Sequence, residues 1–121
     1  SFGYKHGIPL EADWVLDVRF IPNPFYIPEM RPLTGADAPV HDYVMSFEET
    51  RVFLNKTLDL LKFLIPHYVS EGKDRLVIAV GCTGGQHRSV CLTNEIAKGL
   101  KAAGFHATAS HRDTQIETKE K

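Results

Sequence analysis

Cys82, Arg88 and Ser89 stand in the spacing C-x5-R-S around a pair of glycines, within the stretch VIAVGCTGGQHRSV (77–90). Such a set can attack a phosphate, hold one, or close a tight corner. For attack, a thiolate on Cys82 would strike phosphorus while the loop amides and Arg88 hold the remaining oxygens, and positive surroundings would favour that thiolate. This is the arrangement of cysteine-dependent phosphatases. Gly81 departs from it, standing where those enzymes usually carry His. Nor does a general-acid aspartate identify itself, since Asp17, Asp37 and Asp113 qualify by residue type alone. For holding, Thr83-Gly84-Gly85 can turn backbone N–H groups inward, because glycine accepts the conformations such a nest needs. A helix starting just after it would add unpaired N–H groups and the positive end of its dipole. Arg88 can fork onto two phosphate oxygens, and Thr83 and Ser89 can add hydroxyl bonds. The turn is P-loop-like but not a Walker A loop, because no Lys follows the glycines at G-x-x-x-x-G-K-[ST] spacing.

A metal site drawn from Cys82, His87, Cys91 or His111 is the weaker alternative. The chain has no C-x-x-C pair, so no metal ligands are assigned. Cys91 reads as a small buried residue on a helix, and His41, His67 and His106 as ordinary surface or partly buried histidines.

The elements that must position the turn follow from periodicity. ADWVLDVRF (12–20) and RLVIAV (75–80) are apolar, β-rich runs, the second of the kind a parallel sheet buries on both faces. SFGYK at the start looks like the tail of another strand, and FHATASH (105–111) alternates as one more. Five prolines in 21–39 forbid regular structure across that stretch. SFEE (46–49) predicts a capping box, Ser46 as N-cap and Glu49 reaching back. The helix it opens carries Phe53, Leu54, Thr57, Leu58, Leu61, Leu64 and Ile65 on one face, and Pro66 kinks or ends it. A second helix runs from about His87 to Ala103 on Val90, Ile96, Ala97 and Leu100, with Gly104 as its C′ residue. The result is an α/β fold, a single three-layer-like domain with a mostly parallel sheet and the Gly turn at its carboxyl edge.

Composition sets the outer limits. At 121 residues, 43% hydrophobic and 24% charged, the chain has room for one domain with a real core. The apolar runs are too short to span a membrane. A formal charge of −1 gives no global attraction to nucleic acid, so any anion site must come from local clustering. Two cysteines nine positions apart suggest no disulfide framework, and a reducing, cytoplasmic setting is the default. The start lacks a signal-peptide pattern and an initiating Met, and the chain reads as a piece of a longer protein.

Ligands of open α/β sheets sit beyond the carboxyl ends of the strands. Each predicted strand ends there in basic or polar residues: Lys5 and His6; Asp17 and Arg19; Cys82 to Arg88; His111, Arg112 and Asp113. Four such ends along one edge of a near-neutral chain are hard to assign to chance.

Five runs, SFGYKHGIP, ADWVLDVRFIPNP, MRPLTGADAPV, GCTGGQHRSV and HRD, resemble in order the C-terminal domain of the RapZ/YvcJ family, and they span nearly the whole chain. The resemblance implies a two-part protein. An N-terminal P-loop domain, absent from this chain, would bind and hydrolyse ATP or GTP. The present residues 1–121 would form a C-terminal regulatory domain that senses an amino-sugar phosphate such as glucosamine-6-phosphate. The phosphate would map onto Thr83, Gly84, Gly85, His87 and Arg88, with Lys5, His6, Asp17, Arg19, Asn23, His111 and Arg112 lining the remainder. The resemblance further implies a homo-oligomer with no cofactor in this part, and, from enterobacterial relatives, binding of small regulatory RNA. The ending HRDTQIETKEK mixes acids and bases, so counterion release there would be small, and RNA would rest on the Arg and His of the strand ends.

Overall fold

The apolar runs pair as a parallel sheet in the computed structural model, which describes residues 1–114. Residues 115–121, most of the mixed-charge ending, lie outside the described residues. Three strands form, β1 (Phe2–Gly3), β2 (Trp14–Asp17) and β3 (Ile78–Cys82), in the order β1-β3-β2. The register places Phe2 beside Gly81 and Gly3 beside Cys82, while Trp14 to Asp17 run alongside Ile78 to Gly81. All three carboxyl ends therefore open on one edge. Asp13 aligns the other end, accepting from Val77 N at 2.8 Å and pairing with Lys73 at 2.9 Å.

Three helices among the described residues cover this sheet: α1 (Ala38–Met45), α2 (Glu48–Ser70) and α3 (Arg88–Ala102). The predicted faces are the buried ones. Leu54, Thr57 and Leu61 of α2 and Val90, Ile96, Ala97 and Leu100 of α3 lie inside, joined by Val18, Val40, Val44 and Val80. Gly99 lets α2 and α3 approach, since a Cβ there would meet Leu58 Cδ1 at 2.6 Å. Gly104, at φ +93°, closes α3 as predicted. Its N–H donates to Lys101 O and that of Phe105 to Leu100 O, the paired bonds of a Schellman end.

Four local expectations are corrected. Ser46 does not cap α2: its backbone is helical (φ −72°, ψ −18°) and it closes α1, its hydroxyl donating to Tyr43 O at 2.6 Å. An N-cap needs extended backbone, and Phe47 supplies it without a side-chain bond. Pro66 does not end α2, which runs four residues further to Ser70; Pro66 lies on the exposed side. The Pro-rich stretch is less irregular than expected, with a 3-10 turn at Pro24–Tyr26 and α1 starting at Ala38, Pro39 occupying the first turn where no N–H is needed. Residues 105–111 do not form a strand. One parallel rung is made around His111, Ser1 N donating to Ser110 O at 2.8 Å and Arg112 N to Ser1 O at 3.1 Å.

Candidate functional site

The turn after β3 is shaped by close backbone contacts. Gly85 has φ +83°, a conformation costly for any residue with a side chain. Gly3 presses on it from β1: a Cβ on Gly3 would lie 2.4 Å from Gly84 C, a contact no real atom makes. Lys5 N donates to Thr83 O at 3.2 Å, continuing the β1–β3 pairing past the strand end. On the other side Gly35 N donates to Gln86 O, and a Cβ on Gly35 would sit 2.1 Å from His87 O. The turn is thus wedged between the end of β1 and the loop leading to α1. Thr83 is exposed at its mouth, and Gly85 to Ser89 are buried beneath.

Arg88, in the first turn of α3, is 4% exposed. Its Nη1 donates to Arg19 O and Ile21 O, both at 2.9 Å, which fixes the guanidinium against the segment leaving β2. Nη2 reaches Thr83 Oγ1 at 3.4 Å. Nε is buried without a hydrogen-bond partner, and no carboxylate among the described residues pairs with this cation. Cys82 is 2% exposed, and its Sγ donates to Ser89 Oγ at 3.2 Å. His87 is also buried, its Nε2 facing Met30 O at 3.1 Å.

The neighbouring strand ends bring further predicted residues to the same edge. Lys5 and His6 form a 3-10 turn directly after β1. Asp17 and Arg19 pair at 2.7 Å beyond β2, and the Arg19 guanidinium lies 3.8 Å above the centre of the Tyr4 ring. The hydrogen bond from Arg19 holds the Asp17 carboxyl below its usual range against the opposing effect of burial, and raises Arg19 in turn. Tyr4 is raised by burial and by the Asp17 charge.

Other predicted residues hold the fold together. Asn23 Oδ1 accepts from Phe25 N at 3.1 Å and caps the 3-10 turn. His111 turns toward Ser1 Oγ (2.7 Å) and Asn94 Oδ1 (3.0 Å), and burial lowers its pKa. Arg112 is engaged with Asp113 at 2.8 Å and Gly7 O at 2.6 Å. Tyr4, Gly3 and Gly35 escaped the sequence reading. The signal for Gly3 was a glycine inside a strand, which often marks close approach of another backbone. A groove between α2, α3 and β3, lined by Ile65, Tyr68, Leu76, Ile96 and Phe105, holds none of the predicted anion-site residues. Among the described residues no three His, Cys, Asp or Glu side chains gather as metal ligands, and no helix is long and apolar enough to cross a membrane.

Sheet order and strand-end turn define the class: a small parallel α/β domain with a glycine turn leading into a buried arginine. The chain belongs to the RapZ C-terminal domain family, whose model matches residues 1–115. It is 61% identical over 113 residues to a nucleotide-binding protein of Caldanaerobacter subterraneus subsp. tengcongensis, covering 93% of this chain and 40% of that protein. A nucleotide-binding protein of Acidobacterium capsulatum is 60% identical over 113 residues, covering 93% of this chain and 37% of that protein. One from Staphylococcus epidermidis is 55% identical over 122 residues, covering 100% of this chain and 40% of that protein. The chain spans about two fifths of the length of these relatives.

Proposed function

We propose that the Thr83–Ser89 turn binds the phosphate of a small metabolite, an amino-sugar phosphate such as glucosamine-6-phosphate, and that the domain acts as its sensor. One observation carries this reading. Arg88 is a buried cation whose Nε has no hydrogen-bond partner and which pairs with no carboxylate among the described residues, the Asp17 charge acting on it from a distance while bonded to Arg19, beside a mouth formed by Thr83 and Gly84. A buried unpaired charge is costly, and a phosphate at the mouth would offset that cost. The amides of Gly84 and Gly85 and the Thr83 hydroxyl complete the cradle, with Lys5, His6, Asp17 and Arg19 placed to meet the sugar. The role is regulatory. The relatives are called nucleotide-binding proteins; in this proposal nucleotide binding belongs to a part of the protein outside this chain, and any small RNA would bind the same Arg- and His-bearing edge.

A second reading has its own support. The Cys82 thiol donates to Ser89 Oγ at 3.2 Å, and with Cys82 ionised the Ser89 hydroxyl would have to turn and donate to the thiolate to steady it, as a cysteine phosphatase needs. Phosphorus NMR of glucosamine-6-phosphate mixed with the chain, followed over hours, separates the two. A broadened or shifted signal without inorganic phosphate supports the sensor. A growing phosphate peak, abolished in Cys82→Ser, supports the phosphatase. An unchanged spectrum refutes binding of this sugar phosphate.

A further inference from the structure

Arg112 and Asp113 lie more than a hundred residues from β1, yet they are bonded to it. Asp113 is wholly buried, and its Oδ2 accepts from Gly3 N at 2.6 Å. Arg112 forks onto the same carboxylate, Nε to Oδ1 and Nη2 to Oδ2, both at 2.8 Å, while Nη2 also donates to Gly7 O at 2.6 Å. One ion pair therefore grips the chain on both sides of Tyr4–His6. The same residue touches the turn. A Cβ on Gly85 would lie 3.0 Å from Asp113 Cβ and 2.7 Å from Gly3 N, and Gln86 Nε2 donates to the carbonyls of Asp113 (3.4 Å) and Thr114 (2.5 Å).

We propose that Asp113, charge-balanced by Arg112, is a positioning residue of the anion site: it clamps Gly3 against Gly84–Gly85 and so keeps the turn open to a phosphate. The inference rests on the anion-site reading above. It also reassigns Arg112 from ligand contact to clamp, because its Nε and Nη2 already serve Asp113 and Gly7. Burial opposes ionisation of Asp113, but the Arg112 bonds and the Gly3 amide outweigh it and hold the carboxyl below its usual range. The clamp is therefore charged at neutral pH.

The sign of one substitution tests this. Asp113→Asn removes a negative charge beside an anion site and releases a guanidinium, so charge alone predicts tighter binding of phosphate. A clamp predicts the reverse. Affinity for inorganic phosphate is measured by calorimetry on the chain and on each variant, at a temperature where circular dichroism shows it folded, with hydrogen exchange of the Gly3 amide followed in parallel. We expect Asp113→Asn to weaken phosphate binding at least fivefold and to speed Gly3 exchange at least tenfold. Equal or tighter binding overturns the proposal. Arg112 is 39% exposed, so Arg112→Ala serves as a second variant if Asp113→Asn does not fold. Loss of affinity together with faster Gly3 exchange supports the clamp; loss of affinity with Gly3 protection unchanged assigns Arg112 to the ligand and overturns it. If the unsubstituted chain binds no phosphate by calorimetry or phosphorus NMR, the anion-site reading itself fails, whereas Gly3 exchange still reports whether Asp113 holds β1.

Discussion

Replacing Arg88 by Met removes the guanidinium while keeping most of the buried volume. In the unliganded chain two effects oppose each other. The carbonyls of Arg19 and Ile21 lose donors at 2.9 Å, a loss of about 1–3 kcal/mol for each left unsatisfied. A buried cation with no carboxylate pair among the described residues also disappears, which is favourable. The change in ligand-induced stabilisation is free of both effects. A hydrogen bond to a charged group contributes about 1.5–3 kcal/mol, so Arg88→Met should weaken binding of glucosamine-6-phosphate roughly 10- to 150-fold. At a concentration 100 times the dissociation constant, ligand stabilises the unsubstituted chain by about 2.7 kcal/mol. With affinity reduced ~30-fold, the same concentration stabilises the variant by about 0.9 kcal/mol. A domain of this size gains about 3–5 °C in melting temperature per kcal/mol. The expected shifts are therefore about 8–13 °C for the unsubstituted chain and about 3–4 °C for the variant. Equal shifts in a thermal melt followed by circular dichroism would refute the assignment of Arg88 to the ligand.

Gly3→Ala would place a Cβ 2.4 Å from Gly84 C, so turn and strand must part; a loss of about 1–3 kcal/mol in urea denaturation and of phosphate binding is expected, and a neutral result would mean the contact is not needed. His41 is raised above its ordinary value near 6.5, first by its hydrogen bond to Glu95 at 3.0 Å, against burial and with help from Asp42. Because its folded pKa is the higher one, its contribution is complete below about pH 6.5 and is lost as pH rises through the folded value. His41→Gln should therefore lower the denaturation midpoint more at about pH 6 than at about pH 8, and an equal loss at both would count against the His41–Glu95 bond. Cys91 has no exposed surface, and burial pushes its thiol up to about 12. Iodoacetamide at pH ~8 should label it only after unfolding; mass spectrometry finding Cys91 modified in the native chain would contradict its burial.

Much of the frame was legible in the chain order. The helical faces of Leu54–Leu61 and Val90–Leu100, the C′ role of Gly104 and the collection of strand ends at one edge depend on short-range periods and on parallel topology. Local misreadings came where two neighbouring elements compete for the same residue. Ser46 suits an N-cap by type, but the end of α1 claims it. The alternating FHATASH suits a strand, but alternation does not supply a partner, and a single rung with Ser1 is all that pairs it.

By itself the sequence determined that a glycine turn followed by Arg88 would leave a buried strand and enter a helix, because strand and helix periods are properties of adjacent residues. Only the tertiary structure decided what each charged side chain faces. Arg88 meets carbonyls more than sixty residues away, Arg112 is committed to Asp113 and Gly7, His111 meets Ser1 and Asn94, and Asn23 caps its own turn. A guanidinium's partner is set by which chain segments packing brings within about 3 Å, and no local pattern encodes that distance.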